Sequence, residues 1–285
     1  NHRDHDVNFY LVEDTYVFDH YKDELYVIST NLFSDTSKSQ LEAKVNQRID
    51  DLKNINLAYE KIELEIAERQ IKTNIREKEF LQIITELKRK IAEGDMFQVV
   101  PSRIYFYKHH FAAHLQQLSF QLYQKLKRQN PSPYMYYLNK SIPIVVGSSP
   151  ESFVKVKDGL VYTNPIAGTT KRGANKDEDM KNSHALLNDE KERSEHSMLV
   201  DLGRNDIHRI SKIGTSKITK LMEIEKYEHV MHIVSEVVGE LKDNLSPMSV
   251  IASLLPTGTV SGAPRLRAIQ RIYDAYRFKR VIYSV

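Results

Sequence analysis

Residues 188–206 read NDEKERSEHSMLVDLGRND. The apolar positions recur at helical spacing, which predicts a helix through the segment. Glu192 and Glu195 stand three residues apart and Asp189 three before Glu192, so on a helix the three carboxylates fall along one stripe. Such a stripe faces either water, with Lys191 and Arg193 as partners, or a divalent cation.

Upstream of this helix, a charged loop follows Pro165 to Thr170, PIAGTT. Phe153 to Val156 and Leu160 to Thr163 flank Lys157-Asp158-Gly159 and predict a hairpin, with the glycine supplying the positive φ. Tyr134 to Leu138 and Ile142 to Val146 read as strands, and Ala112 to Arg128 as a helix closed by Asn130-Pro131-Ser132-Pro133. FQVVPSRIYFY, residues 97–107, is strongly β-prone, and Glu77 to Ala92 is a helix stopped at Gly94. Leu41, Val45, Ile49, Leu52 and Leu57 mark an amphipathic helix capped near Thr36 or Ser37. Val7 to Val12, Thr15 to Phe18 and Glu24 to Thr30 read as adjacent antiparallel strands.

Downstream, Lys217 to Ile224 is strand-like. Val230 to Leu241 is ambiguous, because His232, Glu236 and Glu240 recur at steps of four. A helix at Pro247 to Leu255, a turn at Pro256 to Thr259 and a helix from Ser261 with Pro264 in its first turn close the chain. The irregular alternation lacks a βαβ rhythm and predicts an α+β protein with mainly antiparallel sheets. No internal repeat, GxGxxG or GxxxxGK[ST] occurs, so no nucleotide loop is signalled.

The 285 residues are 41% hydrophobic, enough for a substantial core in one domain or two. The net charge of +3 is spread over interleaved acids and bases, which argues against a nucleic-acid partner. Absence of cysteine excludes disulfides, zinc thiolates and a cysteine nucleophile in this chain. No run approaches the roughly 20 apolar residues of a membrane span, and the N-terminus is polar, so no membrane role and a cytoplasmic location are expected. A strand-like pattern beginning at once after Asn1 suggests a fragment.

Three further segments could carry chemistry. Gly168-Thr169 ends a strand, where an amide and a hydroxyl can grip a carboxylate or serve as plain turn residues. TGTVSGA, residues 257–263, precedes a helix N-terminus and suits either an anion or a simple cap. His232 lies in an apolar context, as a base or as a satisfied core residue.

GDMFQVVPSR (94–103), NPSPYMYYL (130–138), GSSPESFVKV (147–156), PIAGTTKRG (165–173), DEKERSEHSMLVDLGRND (189–206), EHVMHIVSEVVGEL (228–241) and PTGTVSGAPRLRAIQ (256–270) stand in an order that resembles the chorismate-utilising enzymes. The likeness covers nearly the whole chain and is nearest to component I of anthranilate synthase. It implies that family's fold, antiparallel sheets packed face to face with flanking helices, incomplete here. Residues 1–75 would then be the remainder of a regulatory or partner-facing region, and 76–285 the chorismate-binding core. The family converts chorismate and ammonia to anthranilate and pyruvate with magnesium, and a separate glutaminase subunit delivers the ammonia.

By this resemblance Glu195 is a magnesium ligand supported by Glu192, in keeping with that ion's preference for a few carboxylates and retained waters. Gly168 and Thr169 hold a carboxylate or ring substituent of the substrate, and Thr259, Ser261, Gly262 and Ala263 line the other side. Glu151 assists the leaving hydroxyl and His232 takes the ring proton. Gln98 stands where water-activating relatives carry lysine, and a neutral amide there favours ammonia chemistry. Ala167 gives PIAGT, whereas aminodeoxychorismate synthases, the nearest enzymatic alternative, typically carry lysine there. Pro133, Tyr134 and Met135 resemble the tryptophan-feedback segment, or else simply form a turn entering a strand.

Arg265 departs from the usual lysine after SGAP, keeping the charge but changing its reach. The family's glycine-rich C-terminal segment, which supplies a second magnesium carboxylate, has no counterpart before Val285. The chain by itself is therefore expected to bind magnesium weakly and turn over little chorismate. A non-catalytic subunit that at most binds a glutaminase is the alternative of a different class.

Overall fold

A computed structural model describes residues 9–32, 34–55, 71–109, 111–139, 143–227, 229–276 and 280. The chain divides into two compact units, Asn1–Ile62 and Glu63–Val285.

In the first unit, β1 (Asp14–Asp19) and β2 (Glu24–Ser29) form an antiparallel hairpin. Its turn holds Asp23 at φ +56°, and the Asp19 carboxylate accepts the Tyr21 and Lys22 amides. Helix α1 (Lys38–Lys53) starts at the expected Ser37, whose hydroxyl accepts the Gln40 amide while the Gln40 side chain accepts the Ser37 amide. The expected strand at residues 7–12 does not form over Phe9 to Val12: β1 pairs β2 along its whole length, and no third strand lies beside the hairpin among the described residues. Residues 7 and 8, and Leu57 of the expected helix, lie outside the described residues.

The second unit begins with β3 (Lys72–Thr73), α2 (Glu77–Ala92), β4 (Gln98–Val99) and β5 (Tyr105–Phe106). The β-prone run 97–107 is thus not one strand. Pro101 cannot donate to a ladder, and the two halves diverge, β5 to pair with β3 and β4 to pair with β13 near the far end of the chain. A single 3₁₀ turn (Ala112–His114) leads into α3 (Leu115–Gln129), which packs on the hairpin of β6 (Tyr134–Leu138) and β7 (Val145–Ser149).

β8 (Lys155–Lys157), β9 (Leu160–Thr163), β10 (Ile166–Lys171), β11 (Lys217–Lys226) and β12 (Val230–Glu240) form the main antiparallel sheet. Asp158 and Gly159, at φ +52° and +73°, make the β8–β9 turn. The ambiguous segment is the central strand β12: β11 pairs one edge, and β10 then β9 pair the other. A step of four is also twice the strand period, so His232, Glu236 and Glu240 share a strand face as readily as a helix face.

Between β10 and β11 lie α4 (Lys176–Asn188) and α5 (Glu190–Ile210). The expected charged loop is therefore largely the helix α4, capped by Asn175, whose side chain accepts the Glu178 amide, with Asp177, Glu178 and Asp179 in its first turn. Its charges encode a helix start. Val200, Ile207 and Ile210 of α5 pack with Val161, Val237, and Val250 and Leu254 of α6 (Pro247–Leu254) to form the core.

The last stretch differs from expectation. Ser261 ends the short helix α7 (Gly258–Ser261), Gly262 and Ala263 form β13 against β4, and α8 (Arg265–Tyr276) begins only after Pro264. Gly262 sits at φ +127°, and a Cβ there would lie 2.2 Å from the Gln98 carbonyl oxygen. Gly262→Ala is expected to cost about 3 kcal/mol from strain and overpacking combined. A urea midpoint equal to that of the parent protein would contradict this.

Candidate active site

Helix α5 organises the site. Asp189 leaves the acidic stripe predicted for it, because it is the N-cap and its side chain accepts the Glu192 amide at 3.0 Å. One turn on, His196 is fully buried and its Nε2 lies 2.6 Å from the Ser235 hydroxyl on β12. Burial pushes the His196 pKa down, so the ring is a neutral pin that fixes the rotation of α5 against the sheet. That rotation leaves Glu195 exposed and Glu192 half-buried beside β10.

The ladder between β10 and β12 is irregular between Ala167 and Thr169, and Gly168 adopts φ +68°. A Cβ on Gly168 would meet Ile233, Leu186 and, at 3.3 Å, the Glu192 carboxylate. The irregularity aims Thr169 at His232, with Thr169 Oγ1 3.0 Å from His232 Nδ1 and the Gly168 carbonyl 3.4 Å from the same nitrogen. A carbonyl can only accept, so a proton on Nδ1 serves both neighbours and leaves Nε2 as a lone pair. Glu192, Gly168, Thr169 and His232 are thus brought together from three separate motifs.

The C-terminal half of α5 lines a second feature. Leu199, Leu202, Gly203 and Asp206 join Glu151, Thr257 and Thr259 around a cavity of about 30 Å³, close to the volume of one water. Burial in this largely apolar setting pushes the Glu151 carboxyl up to about 7. On the same wall Arg265 pairs with Asp206 and donates to the Leu254 carbonyl. Burial raises the Asp206 pKa, and Arg265 opposes the rise.

A third group forms where β4 meets β13. Gln98 pairs with Ala263 and Val99 with Gly262, and the Ser261 carbonyl accepts the Val100 amide at 3.1 Å. The Ser261 hydroxyl is buried and spent on the Thr257 carbonyl at 2.6 Å, so it shapes the turn internally. Asp95, just ahead of β4, receives Arg271 and Arg267 from α8; Arg271 beside it holds its carboxyl at about 2. The Gln98 Oε1 atom is buried with no hydrogen-bond partner among the described residues.

Pro133, Tyr134 and Met135 lie at the start of β6, with Tyr134 opposite Ser149 and Met135 opposite Ser148. Sequence reasoning missed Tyr227, which follows β11. Its ring meets that of His232 edge-on, and burial, then its bond to Glu225, then the nearby Tyr134 push its phenol up to about 12. Only the pairing of β11 with β12 reveals this contact.

A family model for chorismate binding enzymes matches residues 1–284. The chain belongs to the chorismate-binding enzyme family. It is 41% identical over 279 residues to anthranilate synthase component 1 of Lactococcus lactis subsp. lactis, covering 98% of this chain and 60% of that protein. The corresponding protein of Aquifex aeolicus is 42% identical over 262 residues, covering 92% of this chain and 50% of that one. The crystal structure of anthranilate synthase component I from Streptococcus pneumoniae superposes with a TM-score of 0.79 at 40% identity, covering 92% of this chain and 57% of that one. The menaquinone-specific isochorismate synthase of Escherichia coli shares the fold, with a TM-score of 0.64 at 19% identity. The chain spans 50–60% of the length of the two curated relatives. No described helix is long and apolar enough to cross a membrane.

Among the described residues, no cluster of three or more histidine, aspartate or glutamate side chains is placed to hold a metal. Glu192 and Glu195 stand one helical turn apart on α5, and the Glu192 carboxylate lies beside Gly168. Two carboxylates on one face fit the part that protein plays for magnesium, which takes its remaining oxygens from water and substrate.

Proposed function

We propose that this chain is the chorismate-binding core of an anthranilate synthase component I, forming anthranilate and pyruvate from chorismate and ammonia. The observation that carries the reading is Gln98: its buried carbonyl oxygen has no hydrogen-bond donor among the described residues, and it lies on the strand paired with Gly262 and Ala263. A neutral amide cannot deprotonate water, but its oxygen can accept a hydrogen bond from ammonia and orient the nucleophile.

Ammonia adds to the ring as the ring hydroxyl departs. Glu151, with its carboxyl at about 7, keeps a proton near neutrality and gives it to that hydroxyl, which leaves as water. The adjoining cavity is the size of that product. His232 Nε2 then takes the ring proton, and the enolpyruvyl group leaves, gains a proton and becomes pyruvate. Nδ1–H, held at Thr169 and Gly168, steadies the charged ring that results. With its hydroxyl oxygen accepting from Nδ1, Thr169 still has its own O–H for a substrate carboxylate. The Gly168 turn keeps Glu192 close to the same point. Glu195 and Glu192 would hold magnesium, which when bound supplies positive charge against a substrate carboxylate.

Ala167 leaves no amine between β10 and β12, where a lysine nucleophile would make the aminodeoxychorismate type of product. The ammonia comes from a partner glutaminase, in keeping with the "component 1" of the relatives' names. Tyr134, flanked by Pro133 and Met135, offers a contact for a tryptophan effector within reach of Tyr227. The complete protein, given chorismate, ammonium and magnesium, is expected to release a fluorescent product with the mass of anthranilate. Glu195→Gln should abolish this and weaken manganese binding read by electron paramagnetic resonance. A product retaining the enolpyruvyl group and aminated para to the carboxylate would favour aminodeoxychorismate synthase instead.

A further inference from the structure

We infer that Tyr227 is a positioning residue for His232, holding its imidazole in the one orientation that presents Nε2 as the base. The inference rests on the reading of His232 as the group that takes the ring proton.

Tyr227 is held at every polar atom. Its amide donates to the Val230 carbonyl at 2.8 Å, closing the turn from β11 to β12. Its carbonyl accepts from Arg172 Nη1 at 2.6 Å, and Arg172 is itself gripped by the buried Asp179 through Nε and Nη2 at 2.7–3.1 Å. Arg172 lies just past β10, so this clamp ties the turn to the strand that bears Gly168 and Thr169. The Tyr227 hydroxyl donates to Glu225 Oε2 at 2.9 Å. Glu225 is the residue of β11 directly opposite His232 on β12, so the tether ends on the same sheet face as the imidazole.

So held, the phenol ring lies against His232 with centroids 5.5 Å apart and planes at 62°, the edge-to-face arrangement that aromatic quadrupoles favour. On its other side the imidazole has Thr169 and the Gly168 carbonyl, both at Nδ1. A half-turn of the ring about its Cβ–Cγ bond would set Cδ2–H against Thr169 and the Gly168 carbonyl, leave Nδ1 without those partners and carry Nε2 away from its place. To make that turn the ring must sweep past the tethered phenol. Thr169 thereby selects the tautomer, and Tyr227 stops the flip that would undo the selection.

The test is the nitrogen-15 spectrum of His232 in histidine-labelled protein, read with steady-state kinetics on chorismate and ammonium. Tyr227→Phe keeps the aromatic wall but loses the hydroxyl tether, and it should give the same intermediate tautomer mixture as Glu225→Ala. Tyr227→Leu removes the wall: the spectrum should show mixed tautomers, and kcat should fall roughly tenfold at unchanged KM, the scale of one misaligned proton transfer. Glu225→Ala keeps the ring but releases the tether, and it should give an intermediate tautomer mixture even if the leucine variant folds poorly. An Nδ1–H spectrum as pure in Tyr227→Leu or Glu225→Ala as in the parent would overturn the inference. Mixed tautomers with unchanged kcat would uphold the positioning by Tyr227 and overturn the reading of His232 as the base.

Discussion

Glu151→Gln is expected to raise the melting temperature above pH 7 and to leave it nearly unchanged near pH 4. The Glu151 carboxyl moves from an ordinary 4.5 in the unfolded chain to about 7 in the fold because burial penalises its charged form. The folded state therefore binds a proton more tightly than the unfolded state. Stability is fully present below about 4.5 and is lost as pH rises through about 7. Counted in full, that loss is about 3 kcal/mol, reduced by whatever water reaches the cavity. Asp206, the other carboxyl lining that cavity, is paired with Arg265, and the pair does not neutralise Glu151. Glutamine carries no charge at any pH, so at pH 8 the variant should melt on the order of 5 °C higher than the parent. Parallel melting curves from pH 4 to 8 would show that the carboxyl is not displaced. The same variant should lose activity by about 10²–10⁴-fold, since it cannot give up a proton.

His232→Ala carries the second large effect. The ring touches Thr169, the Gly168 carbonyl and Tyr227, and among the described residues no core side chain depends on it for a hydrogen bond. Its loss should leave the melting temperature within about 2 °C, as expected for a part-exposed substitution outside the core. The rate of anthranilate formation should fall by about 10²–10⁴-fold, the usual contribution of a positioned base. A fall in stability as large as the fall in rate would make His232 a structural residue.

Much of the fold was legible because local signals agreed with the tertiary ones. Helix α2 and strand β6 occupy the expected residues, since glycine and proline punctuate them and their apolar faces are regular. Strand β12 was not legible: its steps of four satisfy both periods, and only its two paired edges decide between them. Helix α4 was missed because its first-turn acids read as solvated charge until Asn175 is recognised as their cap.

In the site, residue types and motif order were visible, but their meeting was not. Glu192 reaches Gly168 only through the irregularity in β10 and the rotation set by His196 and Ser235. The raised pKa of Glu151 comes from walls contributed by α5, α6 and the Thr257–Thr259 turn, none adjacent to it in sequence. Tyr227 had no signal of its own, since its role depends on the turn that folds it back over His232.

The central claim is a division of labour, with Glu151 serving the departing hydroxyl and His232 the ring proton. It is tested most directly by quenching a single turnover of chorismate with ammonium and magnesium, and weighing the products of the two variants. The account predicts that Glu151→Gln leaves chorismate unreacted, whereas His232→Ala accumulates an aminated ring that still carries its enolpyruvyl group. Anthranilate released by His232→Ala at the parent rate, with no such compound, would contradict it.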